Sequence, residues 1–311
     1  MNDSDDAATS EAAAEAMTAP PRTDEEIPAY LAALGLPGLA DIHVHFLPQN
    51  VLDKVWAYFD NAEANYGQPW PIHYRYDTDT RLRIVRGLGI RAIPALTYPH
   101  KPGMAAWLND WNAEFAAAHS DVIHCATLYA EPEAADYVPA ALAAGAKLFK
   151  VHVQVGGFSP DDRVLDPAWQ ALEEAQVPIV IHAGSRPLPG EYTGPKAVAN
   201  VLERFPTLRF VIAHMGMPEH DEFADLAETY EGVHLDTTMY VSGYFQSPAE
   251  VAPAYRERLA TLQDKIILGS DFPNIPYPYA DQLSGLAGLG LGDDWMRSVL
   301  WDNGARVLGL D

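Results

Sequence analysis

Eight short apolar runs alternate with helix-like segments along the chain, and no other feature restricts the fold as much. The runs are "GLADIHVHF" (38–46), "IRAIPALTY" (90–98), "VIHCATLY" (122–129) and "AKLFKVHVQV" (146–155), then "VPIVIHAG" (177–184), "LRFVIAHMG" (208–216), "VHLDTTMY" (233–240) and "KIILGSDFP" (265–273). Most are continuously apolar, as parallel strands covered on both faces must be. Helical patterns fill the gaps at 79–89, 102–119, 132–145, 166–175, 195–205 and 218–230. Several open with proline near the first turn, and Asp166 is placed to cap one of them.

Eight strand–helix repeats are the pattern of a (β/α)8 TIM barrel, an α/β fold closed on itself. A doubly wound open sheet fits less well, because no GxGxxG or P-loop follows an early strand. The 311 residues show no internal repeat and no second domain. The barrel is therefore expected over 27–311. Residues 1–26 carry eight acids, one base and few large apolar groups, and are expected to form a disordered or loosely attached acidic tail.

The 43 acids and 20 bases give a formal charge of −23. No basic stripe is visible, so nucleic acid is not an expected partner. No apolar run reaches the roughly 18 residues of a membrane span. The N-terminus lacks the basic and apolar regions of a secretory signal. One cysteine, Cys125, lies in an apolar strand and reads as structural; together these features predict a reducing, cytoplasmic setting.

The ionisable residues gather at the strand ends. His43 and His45 lie late in the first run and, two apart, point to one side. Lys150 and His152 lie late in the fourth. His182, His214 and Asp271 sit at the ends of the fifth, sixth and eighth. In a barrel those ends form the active-site mouth. Converging imidazoles and a carboxylate are a ligand set for one divalent transition metal, first zinc, with manganese, iron or cobalt also accommodated. Zinc would bring a bound water's pKa to about 7.

These motifs, "DIHVHF", "VIHAG", "VIAHMG" and "LGSDFP", with the closing "WDNGARVLGL", resemble the amidohydrolase superfamily over about 38–310. The resemblance is to its amidohydrolase-related branch, which includes aminocarboxymuconate-semialdehyde decarboxylase, γ-resorcylate decarboxylase and various hydrolases and lactonases. It implies metal ligands at His43, His45, His182 and Asp271. His214 becomes a base or electrostatic catalyst beside the metal, and Asp271 also takes the proton of the attacking water. Some binuclear members use a carboxylated lysine where Lys150 stands; one metal is favoured over two, with Lys150 and His152 lining the substrate pocket. The resemblance also allows a homodimer.

The loop "NYGQPWPIHYRYD" (65–77) follows the first run, and its Trp70, His73, Tyr74 and Tyr76 could cap the mouth and stack on a flat substrate. Arg186, four residues past His182, could hold a carboxylate bidentately or pair with Glu191. The expected partner is thus a small-molecule substrate, one that carries a carboxylate. The expected reaction is attack of a metal-bound hydroxide on an ester, lactone or amide carbonyl. The rival is nonoxidative decarboxylation of an aromatic or muconate-like acid, which uses the same ligands.

Overall fold

The computed structural model describes residues 17–310. The expected alternation forms a closed barrel. Its strands are β1 (Ile93–Pro94), β2 (Val122–Ile123), β3 (Cys125–Thr127) and β4 (Leu148–His152), followed by β5 (Ile179–His182), β6 (Phe210–Ile212), β7 (His234–Asp236) and β8 (Ile266–Ile267). β2 and β3 are two pieces of one run, interrupted at His124. β3 to β8 pair in parallel and in chain order, and β1 pairs with β2. The first run is extended and closes the ring through bridges from Leu39 to Ile90, His45 to Leu96 and Val44 to Phe272. Helices follow the strands as expected, among them Ala105–Ala118, Ala134–Ala143, Asp166–Ala175, Pro195–Arg204 and His220–Thr229. Asp166 is the first helical residue rather than the cap, and it pairs with Arg204 at 2.9 Å.

On β3, β4 and β5 the inner face begins with an apolar residue and ends with a polar one. Ile42, Leu96, Cys125, Leu148, Val180, Val211 and Ile267 form a plug inside the barrel, closed below by Val307 and Leu308 of the helix Asn303–Leu308. Burial pushes the Cys125 thiol up to about 12, which leaves it inert, as read. Two residues beyond Leu148 stands Lys150, and two beyond Val180 stands His182. The period of two that fills the floor therefore carries ionisable groups to the mouth.

The expectation of a loose N-terminal tail divides. Residues 1–16 lie outside the described residues. Residues 17–26 lie against the barrel, although they offer little apolar surface. Thr18 Oγ donates to Asp293 at 2.6 Å, Ser284 Oγ donates to the Pro21 carbonyl at 2.5 Å, and the Ala280 N–H donates to Asp24 at 2.9 Å. The Tyr74 hydroxyl also donates to Asp24. Polar contacts hold this segment, and a count of apolar residues could not find them.

Candidate metal centre

His43, His45 and Asp271 meet at one point. His43 Nε2 lies 3.1 Å from His45 Nε2, and Asp271 Oδ1 lies 2.9 Å from His45 Nε2 and 3.5 Å from His43 Nε2. The far nitrogen of each ring is engaged. His43 Nδ1 donates to Asp236 Oδ2 at 2.8 Å, and His45 Nδ1 donates to the Leu96 carbonyl at 3.0 Å. An acceptor at Nδ1 places the proton there and leaves the Nε2 lone pair free. Two imidazole lone pairs and a carboxylate oxygen then face one another in a buried space. The Lys150 ammonium reaches His43 Nε2 at 2.9 Å but not the other two, which repel unless a cation lies among them. The donor set suits a divalent metal.

The backbone is bent to make this point. Asp271 has φ 68° and His214 has φ 55°, left-handed conformations that a non-glycine residue adopts only when its surroundings hold it. The Asp271 N–H donates to the His43 carbonyl at 2.8 Å, and the His214 N–H donates to Asp236 Oδ1 at 2.9 Å. Gly269 is required beside them: a Cβ there would lie 2.5 Å from Thr238 Oγ1 and 2.9 Å from Asp236 Cγ.

The charges are set by burial and neighbours. Burial, then the Lys150 ammonium, lowers His43 to about 4, and burial lowers His214 to about 4. His152 is pushed down by burial and then by His182, and His182 by burial and then by His214. All four are neutral at pH 7. Burial works against the charges of Asp236 and Asp271. The facing histidines outweigh it and hold both carboxyls below the usual range. Lys150, fully buried, falls to about 8; its Nζ lies 2.9 Å from His43 Nε2, and no carboxylate pairs with it among the described residues.

The other expected residues are placed unequally. His152 and His182 are register partners on β4 and β5, and their rings stack at 4.1 Å. His214 lies 4.5 Å from His182 and 5.4 Å from His43, ring to ring. His182 lines the pocket, but its Nε2 bonds the Arg186 carbonyl at 3.0 Å and stands outside the three-ligand cluster. Arg186 also lines the pocket. Its guanidinium lies 4.8 Å from the Phe245 ring and makes no ion pair with Glu191. Trp70 is a wall residue, and its Nε1 donates to the Asn274 carbonyl at 2.6 Å. His73 and Tyr76 do not line the pocket. Past Trp70 the loop leaves the mouth: the His73 N–H donates to the Ile275 carbonyl at 2.9 Å, and Tyr76 is 49 % exposed.

Two acids at the centre escaped the sequence reading. Asp236, fully buried on β7, orients His43. Asp41 accepts from the His43 N–H at 3.0 Å, the Ser270 N–H at 3.1 Å and the Tyr279 hydroxyl at 2.7 Å, tying the first run to the eighth. Burial raises Asp41 to about 7. An aspartate inside an apolar strand was the available signal for both.

The sequence matches the profile of a family described as amidohydrolase over residues 40–310. The chain belongs to the amidohydrolase family. None of the curated proteins compared matches it. Among solved structures, this amidohydrolase resembles an uncharacterised TIM-barrel protein from Bordetella bronchiseptica, with 20% identity, TM-score 0.66, and 82% of this chain and 91% of that one covered. It is also similar to a 5-carboxyvanillate decarboxylase from Novosphingobium aromaticivorans, solved with manganese and 4-hydroxy-3-methoxy-5-nitrobenzoic acid (15% identity, TM-score 0.57, coverage 82% and 87%). A third is a Pseudomonas putida protein assigned as a 2-pyrone-4,6-dicarboxylic acid hydrolase (14% identity, TM-score 0.55, coverage 88% and 98%). At these identities the structures bear on the fold alone. No helix among the described residues is long and apolar enough to cross a membrane.

Proposed function

We propose that this amidohydrolase is a metal-dependent hydrolase that acts on an ester, lactone or amide carbonyl of a small planar substrate bearing a carboxylate. The observation that carries the reading is Asp271. Among the described residues it is the single carboxylate lining a cavity of about 480 Å³, it is held ionised, and its oxygen lies at the point where His43 and His45 meet. The two imidazoles and Asp271 would hold one divalent metal, which we take to be zinc. Bound there, such an ion acidifies a water and polarises a carbonyl oxygen. Asp271 is placed to take a proton from the attacking water and return it to the leaving group. Neutral His214 stands beside the reacting atoms as a hydrogen-bond partner. Lys150 supplies the positive charge deepest in the pocket.

Substrate class follows from the walls. Tyr58, Phe59, Tyr66, Trp70, Tyr98 and Phe245 line the cavity and suit a flat ring or conjugated chain. Arg186, without a carboxylate partner among the described residues, supports an anionic group on that substrate. The second reading, nonoxidative decarboxylation of an aromatic acid, is favoured by Lys150: with a pKa of about 8 it can donate a proton at neutral pH to the carbon that loses carbon dioxide.

One experiment separates them. Metal-loaded protein is incubated in ¹⁸O-water with a panel of carboxylated aryl esters, lactones and amides, and with the corresponding aromatic diacids. Hydrolysis puts one ¹⁸O into the product acid and releases no carbon dioxide. Carbon dioxide release from the diacids, with the esters and lactones untouched, overturns the hydrolase reading in favour of the decarboxylase.

A further inference from the structure

Asn274 lines the pocket three residues beyond Asp271 and is 2 % exposed. Which end of its carboxamide faces the cavity decides what it can recognise. The oxygen is taken: Trp56 Nε1 donates to Asn274 Oδ1 at 3.1 Å. An indole N–H can only donate, so the flipped amide would set two donors against each other. The Nδ2 end has no partner among the described residues, and it is not one of the polar atoms sealed inside the protein. It is the end left to face the pocket that Asn274 lines.

The lock is rigid. The Asn274 N–H donates to the Asp271 carbonyl at 2.9 Å, and its own carbonyl accepts from Trp70 Nε1 at 2.6 Å. Trp56 is nearly buried, with the guanidinium of Arg75 at 5.3 Å and that of Arg81 at 5.7 Å from its ring. Two indoles therefore pin both oxygens of one asparagine beside the metal centre and leave its NH2 as a fixed donor.

We infer that Asn274 is a specificity residue whose Nδ2 donates to an acceptor oxygen on the substrate, with Trp56 fixing the polarity of the amide. The ligand class is a planar acid that carries a second acceptor oxygen, of the carbonyl, nitro or phenolate kind, away from the carboxylate that Arg186 binds. Arg186 follows β5 and Asn274 follows β8, three places apart in sheet order, so the two contacts approach the ligand from different sides of the mouth. The inference rests on the planar-acid reading above.

The probes are 2-, 3- and 4-nitrobenzoate and the matching isopropylbenzoates, which resemble them in shape but lack the acceptor. Their dissociation constants are measured by calorimetry on metal-loaded protein. In wild type at least one nitro isomer binds about five-fold or more tightly than its isopropyl partner, the range of one neutral hydrogen bond. Asn274→Asp keeps the acceptor for Trp56 and removes the donor, so the preference within that pair disappears. Trp56→Phe frees the amide and weakens the preference. A preference that survives intact in Asn274→Asp overturns the inference. Orientation is read without ligand from hydrogen exchange of the Trp56 indole N–H. It is slow in wild type and Asn274→Asp and fast in Asn274→Leu. Equal protection in all three overturns the lock. If none of the six acids binds wild type, the planar-acid substrate fails and this ligand class falls with it, while the exchange measurement still judges the amide.

Discussion

Replacing Asp236 with asparagine should weaken metal binding about 100-fold without touching a metal ligand. Asp236 Oδ1 accepts from the backbone N–H of His214 at 2.9 Å and of Thr238 at 3.0 Å, while Oδ2 accepts from His43 Nδ1 at 2.8 Å. An asparagine here must keep its carbonyl oxygen toward the two backbone donors. Its NH2 then meets His43 Nδ1, donor against donor. The ring answers by moving its proton to Nε2, the atom that faces His45 and Asp271. Thr238 Oγ1, 3.1 Å from His43 Nδ1, can donate to the new lone pair and stabilise the wrong tautomer. Losing an orienting partner of a metal-bound histidine costs about 10- to 100-fold in affinity, and the enforced tautomer places this change at the upper end, ~2.7 kcal/mol. The assay is chelator competition for zinc and for manganese at pH 7, with thermal melting as a control for folding. A folded Asp236→Asn protein that binds either metal within two-fold of wild type would falsify the claim that Asp236 sets the His43 tautomer.

His43→Ala should abolish metal binding, whereas His182→Ala should weaken it far less, because Nε2 of His182 is engaged by the Arg186 carbonyl; metal analysis of both variants after dialysis reports the difference, and equal loss would make His182 a full ligand. Arg186→Met should cost on the order of 2–5 kcal/mol in binding of a carboxylate-bearing substrate and much less for its methyl ester, with metal content unchanged; equal losses in kcat/KM for the two compounds would make Arg186 structural. His234, at the far end of the barrel, is lowered by burial and by Lys265 from 6.5 to about 4. The folded state then binds fewer protons than the unfolded chain between those values, so stability falls as pH drops from about 6.5 to 4; denaturant titrations across that window should show a shallower slope for His234→Gln. Asp24→Ala should lower Tm by a few degrees by freeing Tyr74 and the Ala280 N–H, at about 1 kcal/mol for each hydrogen bond; an unchanged Tm would mean the N-terminal contact is idle.

What could be read from the sequence was whatever repeats or alternates. β5 is an unbroken apolar run ending in histidine, β4 is one interrupted by Lys150 alone, and their parity puts Lys150, His152 and His182 on the inner face. His43, His45 and Asp271 were legible for the same reason, as polar residues at the ends of apolar runs. Contacts whose meaning depends on a distant partner were not. Asp236 looks like one acid in a strand until His43 is placed against it from the opposite end of the chain. Asn274 looks like a turn residue after a proline until Trp56 and Trp70 arrive at its two oxygens. The loop 65–77 contains rings in plenty, but which of them reach the cavity depends on where the chain turns. It turns after Trp70 and takes His73 and Tyr76 with it. The polar seat of residues 17–26 gives no periodic signal at all.

The ring closes between the first run and the segments around the eighth strand and the helix Asn303–Leu308. The Ala40 N–H donates to the Leu300 carbonyl at 2.9 Å, the Ile42 N–H to the Leu268 carbonyl at 2.9 Å, and a Cβ at Gly304 would lie 2.4 Å from the Ala40 carbonyl oxygen, so the final helix packs directly on the first run. On a ribosome this order matters. His43 and His45 emerge well before Asp271 and the segments that seat the first run. A nascent chain therefore displays a bare histidine pair until the eighth strand has been made, and only then gains the third ligand. Metal capture thus becomes a late event, coupled to closure of the ring, and a chain truncated before Leu300 should be deficient in metal as well as in packing.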